Sequence, residues 1–195
     1  MEFKTYIGKE IAAVLTPLGE LRIAVFRDYP YLYEGSLAYE KDYLQTYVSA
    51  PESFVFSVWD KGQMVGATTC IPLKDETGEV RKPFEEAGID VATVFYFGES
   101  ILLHEYRGRG LGKRFFEARE KHAASLGPYR KLYFCSVERP GNHPLKPETY
   151  QPLDTFWQSQ GYRPSPLYSF FEWQDIDETT PSAKKMNYWC KKMDK

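Results

Sequence analysis

The chain has 195 residues, 43% hydrophobic and 27% charged, with a formal net charge of −2. That length suits one domain, residues 1–195, with a sizeable core, and the composition excludes a disordered chain. The near balance of charge excludes a global electrostatic pull toward nucleic acid or an acidic membrane, so any anion site must be local.

Taken in order, residues 2–7 read as a first short strand. From Glu10 to Val25 the apolar residues Ile11, Val14, Leu15, Leu18, Leu21 and Val25 recur at helical spacing, and Pro17 predicts two short helices rather than one. Residues 26–35 form a turn-rich aromatic loop, and Ser36 is placed to cap a helix reaching about Val48. Loop and helix together hold Tyr29, Tyr31, Tyr33, Tyr39, Tyr43 and Tyr47. These tyrosines either pack the helix on a sheet with hydroxyls toward water, or wall a pocket, with Tyr31 and Tyr33 as the substrate-binding candidates.

Residues 53–59 and 64–71 alternate as two strands about a turn at Asp60-Lys-Gly-Gln63. A polar excursion follows to about residue 90, with a short helix near 84–87. The apolar run 95–103 predicts a central strand, and the stripe Leu111, Phe115, Ala118, His122 and Leu126 predicts a helix. Residues 131–137 read as a strand parallel to the central one, completing a βαβ unit. The Pro- and Gly-rich stretch 138–152, a short helix ended by Gly161, and closing strands near 168–173 and 186–190 complete the chain.

Cys70, Cys135 and Cys190 lie far apart and form no Cys-x-x-Cys pair, which argues against a disulfide framework or a zinc site and for a reducing cytoplasm. No signal peptide and no stretch of transmembrane length is expected. No metal is called for.

The chemistry concentrates where the central strand meets its helix, at Arg107-Gly-Arg-Gly-Leu-Gly112 followed by Lys113 and Arg114. A helix N-terminus offers unpaired N–H groups and partial positive charge, and glycines admit a ligand to the backbone, so a ligand with several phosphate charges fits. A glycine-rich connection with solvated basic residues is the plainer alternative. A dinucleotide fingerprint fails because Lys113 stands where glycine is needed, and a P-loop fails at Arg107 and Arg114.

Arg-x-x-Gly-x-Gly from Arg107 to Gly112, with the surrounding order of elements and the late Phe156-Trp-Gln-Ser-Gln-Gly-Tyr162, resembles the GNAT superfamily of N-acetyltransferases. The resemblance implies an α/β (α+β) fold with a mixed, mostly antiparallel sheet flanked by helices. It implies acetyl-CoA as cofactor and an amine acceptor attacked directly in a ternary complex, with a homodimer as a candidate assembly. The implied cofactor contacts are Arg107, Gly108, Arg109, Gly110, Leu111, Gly112 and Lys113 at the pyrophosphate, and Leu102, Leu103 and Asn142 along the pantetheine arm. A backbone N–H near Leu102 or Leu103 would serve the oxyanion, and Glu99 would be the base.

The family's expected general acid, a tyrosine four residues before the late glycine, is replaced by Trp157. Tyr150, Ser136, water or unassisted thiolate departure remain as alternatives, and His104 and His143 are further titratable groups. The missing tyrosine also leaves open a non-catalytic acyl-CoA-binding or regulatory module.

Overall fold

The structure is a computed structural model and describes residues 1–193. Seven strands form one sheet in the order β1-β2-β3-β4-β5-β7-β6. They are β1 (Glu2–Ile7), β2 (Phe54–Asp60), β3 (Gln63–Pro72), β4 (Val94–Leu102), β5 (Lys131–Val137), β6 (Arg163–Trp173) and β7 (Ser182–Lys192). Every neighbouring pair is antiparallel except β4 and β5. Those two are parallel because the crossover helix α4 (Leu111–Leu126) carries the chain back across the sheet. The expected mixed, mostly antiparallel sheet with a central βαβ unit is therefore present.

The other helices are α1 (Leu15–Phe26), α2 (Leu37–Ser49), α3 (Gly78–Glu86) and the short α5 (Asp154–Ser159). One core layer packs α1, α2 and α3 on one face of the sheet through Leu18, Leu21, Leu44, Val80 and Phe84. The second packs α4 on the opposite face through Leu111, Phe115, Phe116 and Ala123. Among the described residues no helix is long and apolar enough to cross a membrane.

Some expected boundaries move. Pro17 falls in the first turn of α1, where its missing N–H has no intrahelical partner in any case, so the helix runs on to Phe26 after a 3-10 segment at Gly8–Val14. The helix expected near 84–87 begins earlier, at Gly78. Strands β6 and β7 are each 11 residues long, well beyond the expected apolar cores, because they pair with one another past Pro164 and past Lys184 and Lys185.

Two irregularities position the site. First, β4 and β5 pair only over Val94–Tyr96 with Lys131–Tyr133. Beyond Tyr96, β4 continues against β3, and β5 continues against β7, so the middle of the sheet opens into a gap. Second, the β3–β4 register shifts between Thr68 and Cys70, whose partners are Ser100 and Phe97. Gly98 and Glu99 together oppose Thr69, which is a β-bulge that turns the Glu99 side chain onto the α1 and α2 face. A Cβ at Gly98 would overlap Tyr47 Oη and come within 2.6 Å of Thr69 Oγ1, so the bulge requires glycine there.

Candidate active site

On one side the gap leads to the glycine turn. After β4 the chain makes a 3-10 turn at His104–Tyr106 and enters α4 through Gly110, whose φ of 77° is left-handed. Gly108 has φ 75°, and a Cβ on either glycine would meet nothing within 4 Å. The space that the turn faces is open. Arg114 N–H bonds the Gly110 carbonyl at 3.3 Å, whereas the N–H groups of Leu111, Gly112 and Lys113 belong to the unpaired first turn. Among the described residues no side chain caps this end, and its first turn carries no acidic residue. The residues thus fit a ligand bearing several phosphate charges, with donors available and room to approach them.

The named turn residues contribute unequally. Arg107 is exposed, donates from Nε to the Leu102 carbonyl at 3.2 Å and lies 3.9 Å from Asp28. Arg109, also exposed, donates to the Glu105 carbonyl at 2.9 Å and rests over Tyr106. Lys113 is exposed and lies 3.8 Å from Glu117. Leu111 buries its side chain in the α4 core, so only its backbone faces a ligand. Gly112 serves packing, since a Cβ there would approach Phe156 Cζ to 3.2 Å.

One expectation is corrected at the strand end. Leu103 donates its N–H to the Val65 carbonyl at 3.0 Å, so it is not free for an oxyanion. Hydrogen-bonded and non-bonded pairs alternate along an antiparallel ladder, so Leu102, opposite Gly66, turns its N–H away from β3 toward the gap.

The other side of the gap is polar and buried. Glu99 is 6% exposed, and its Oε2 lies 2.6 Å from Arg22 Nη1. Its carbonyl accepts from Thr68 Oγ1 at 2.7 Å and from Arg119 Nη1 at 3.3 Å, which fixes the backbone of the bulge. Arg119 itself lies between the rings of Phe97 and Phe116, and burial lowers its pKa. Burial would also strip Arg22 of its charge, but Glu99, then Tyr43 and Glu40, hold its pKa well above the ordinary value. Glu76 accepts from Tyr47 Oη at 3.2 Å and from Thr77 N–H at 2.9 Å, and burial pushes its pKa up to about 7.

Tyr31 packs between Phe26 and Trp173, with ring centroids 4.6 and 6.0 Å away. Its pKa is raised by burial first, then by Cys135, Glu99 and Tyr150. Tyr150 stands edge-on to Tyr29 at 4.7 Å, and its pKa is raised by burial, Tyr29 and Asp154. Tyr29 also faces the His143 ring at 5.8 Å. Tyr33 lies beside Glu40, which with burial raises its pKa, and its backbone bridges Asp175.

Asn142 is exposed in the loop that follows β5, and His104 is exposed in the 3-10 turn. Cys135 Sγ lies 3.1 Å from Tyr96 Oη, and burial pushes its thiol up to about 12, which argues against a thiolate nucleophile. Trp157, at the position expected for an acid, packs on Phe134 at 5.2 Å and Trp189 at 5.1 Å.

Sequence reading missed Arg22, Glu40, Arg139 and Asp175. Arg22 and Glu40 are partners across the two helices. Arg22 lies among Leu18, Leu21 and Val25, and Glu40 among Leu37, Leu44 and Tyr47. A charge on the apolar stripe of each helix was the available signal. Arg139 and Asp175 sit in connecting segments after β5 and β6 and gave no such signal.

Three comparisons place these observations among known proteins. The acetyltransferase (GNAT) family model matches residues 20–147. An acetyltransferase from Thermus thermophilus shares 17% identity, with TM-score 0.57, covering 99% of this chain and 98% of its own. An aminoglycoside 6'-N-acetyltransferase complexed with coenzyme A shares 16%, with TM-score 0.59, covering 98% and 97%. A ribosomal-protein-alanine N-acetyltransferase from Brucella melitensis shares 13%, with TM-score 0.62, covering 99% and 100%. Among curated proteins none matches. The structural neighbours share the fold, and the family match extends over β4, the glycine turn and α4, so the chain belongs to the acetyltransferase (GNAT) family and is an N-acetyltransferase of that type.

Proposed function

We propose that the protein moves an acetyl group from acetyl-CoA to a primary amine by direct attack in a ternary complex. One juxtaposition carries the reading: β4 parts from β5 between an uncapped glycine turn and the buried Glu99 carboxylate. The N–H groups of residues 111–113 with Arg107, Arg109 and Lys113 would hold the pyrophosphate. The backbone of Leu102, with Leu103 and Asn142 beside it, would hold the pantetheine arm.

When bound, the thioester supplies an activated acyl carbon and a thiolate leaving group. A primary alkylamine has a pKa of about 10.4 in water and arrives as the ammonium ion. Glu99 takes its proton, directly or through water, and Tyr31 walls the approach. The outward N–H of Leu102 donates to the developing oxyanion. Tyr150, kept protonated at neutral pH by its raised pKa, donates to the departing sulfur and is reprotonated by the second proton that the nitrogen sheds, through water, as the amide forms.

Trp157 favours one rival, a CoA-binding module without turnover, because an indole N–H does not protonate a thiolate. Isothermal titration with acetyl-CoA followed by thiol release over a panel of primary amines separates the two. Release with an amine supports the enzyme, binding with no release for any amine supports the module, and no binding contradicts both.

A further inference from the structure

Arg22 projects from the apolar stripe of α1 and donates from Nη1 to Glu99 Oε2 at 2.6 Å and from Nε to Glu40 Oε2. The three side chains are almost sealed, at 11% exposure for Arg22, 3% for Glu99 and 0% for Glu40. The guanidinium also lies over the Tyr43 and Phe26 rings, 4.6 and 5.2 Å from their centroids. Each carboxylate gives one oxygen to the shared cation, and among the described residues Oε1 of each has no partner.

A buried ion triad is a poor device for stability, since well-packed apolar residues of the same volume often do as well or better. Its geometry, by contrast, discriminates between the two oxygens of Glu99. We propose that Arg22 and Glu40 are positioning residues for Glu99, a reading that rests on Glu99 as the base: Arg22 pins Oε2 and leaves Oε1 to take the acceptor's proton, while Glu40 competes with Glu99 for Arg22.

The two partners act with opposite sign. Without the cation, burial opposes the Glu99 carboxylate unchecked, and it protonates at higher pH. Without the Glu40 charge, the guanidinium serves Glu99 alone, and it protonates at lower pH. The other groups that share charge with Glu99 are Glu76 after β3, the hydroxyls of Tyr31, Tyr43 and Tyr47, and Arg119 from α4. None of them is altered in either variant, so the sign of each change belongs to the triad.

The test is a carbon-13 carboxyl titration of the full-length protein, with Glu99 assigned through Glu99→Gln, alongside the pH profile of kcat/KM for an accepted amine. Arg22→Met is expected to move the Glu99 titration and the acid limb upward, and Glu40→Gln to move both downward, each by on the order of one pH unit. Should Arg22→Met not fold, Arg22→Gln removes the same charge while keeping a donor, and the sign is unchanged. A Glu99 titration that stays fixed, or moves the same way in both variants, overturns the inference even if both lose kcat. Opposite shifts in the titration with an unmoved kcat/KM limb uphold the effect of the triad on Glu99 and overturn its role as base.

Discussion

Arg139 grips Asp175 with both arms of its guanidinium, Nη1 to Oδ2 at 2.5 Å and Nη2 to Oδ1 at 2.9 Å. The same side chain donates to the carbonyls of Pro30 and Tyr31 at 2.7 and 2.6 Å, so it ties the segment after β5 to the α1–α2 loop and to the β6–β7 connection. The pair is nearly dry, at 8% and 3% exposure, with Lys184 as a second cation 3.4 Å from Asp175. Arg139→Ala leaves the Pro30 carbonyl without its donor, the Tyr31 carbonyl with Trp173 Nε1 alone, and Asp175 with Lys184 as its one cation, and is expected to destabilise the fold by about 3 kcal/mol in a denaturant titration. It should also raise KM for the amine through a loosened Tyr31 while leaving CoA affinity unchanged. Arg139→Lys should recover little of either, because an ammonium does not reproduce the planar fork.

Gly110 tests the cofactor turn. Its φ of 77° is unfavourable for any side chain, so Gly110→Val carries strain of about 1–2 kcal/mol as well as a side chain in the open approach to the α4 N-terminus. Gly127, at the far end of α4 with φ 97° and open space around its Cβ position, provides the control for strain alone. We expect isothermal titration to show CoA affinity lost in Gly110→Val and retained in Gly127→Val, although both lower the melting temperature. Equal affinity in the two variants would count against the turn as the pyrophosphate site.

The turn was legible because backbone demands leave letters behind: left-handed positions at 108 and 110 select glycine, and an anion-binding helix start selects basic neighbours. The alternation of β2 and β3 and the helical stripe of α4 were legible for a similar local reason. The extra length of β6 and β7 was not, since it comes from their mutual pairing and overrides local composition at Pro164 and Lys184. Nor were the buried ion pairs between distant elements. Arg22 meets Glu40 across 18 residues and Arg139 meets Asp175 across 36, and no spacing rule links such pairs. The bulge that turns Glu99 inward depends on Thr69 of a neighbouring strand, so which face Glu99 occupies was undetermined until the register was seen.

Tyr150 gives a prediction in pH. If its hydroxyl donates to the leaving sulfur, activity requires the protonated form and falls as pH rises through its raised pKa. Tyr150→Phe is therefore expected to lower kcat by about 100-fold and to remove that basic limb from the kcat profile. An unchanged kcat with the limb intact would show that the thiolate leaves without help from Tyr150.

Glu76 makes stability itself pH dependent. Its pKa rises from the ordinary 4.5 to about 7 on folding, because burial penalises the carboxylate more than Thr77 and Tyr47 assist it. The folded state therefore binds the proton more tightly, and this contribution is present below about pH 4.5 and is lost as pH rises to about 7. Between those limits it amounts to on the order of 3 kcal/mol. Denaturation of the wild type and of Glu76→Gln across this range should show the difference between them shrinking or reversing in favour of Gln as pH rises. A constant difference would place the Glu76 titration outside that range.

The most direct test of the whole arrangement is a crystal structure of the protein with CoA bound. The pyrophosphate is expected on the N–H groups of residues 111–113, the pantetheine arm along Leu102 between β4 and β5, and the sulfur facing Glu99, Tyr31 and Tyr150. A pyrophosphate seated away from the Arg107–Gly112 turn, or a sulfur on the side of the sheet away from Glu99, would contradict it.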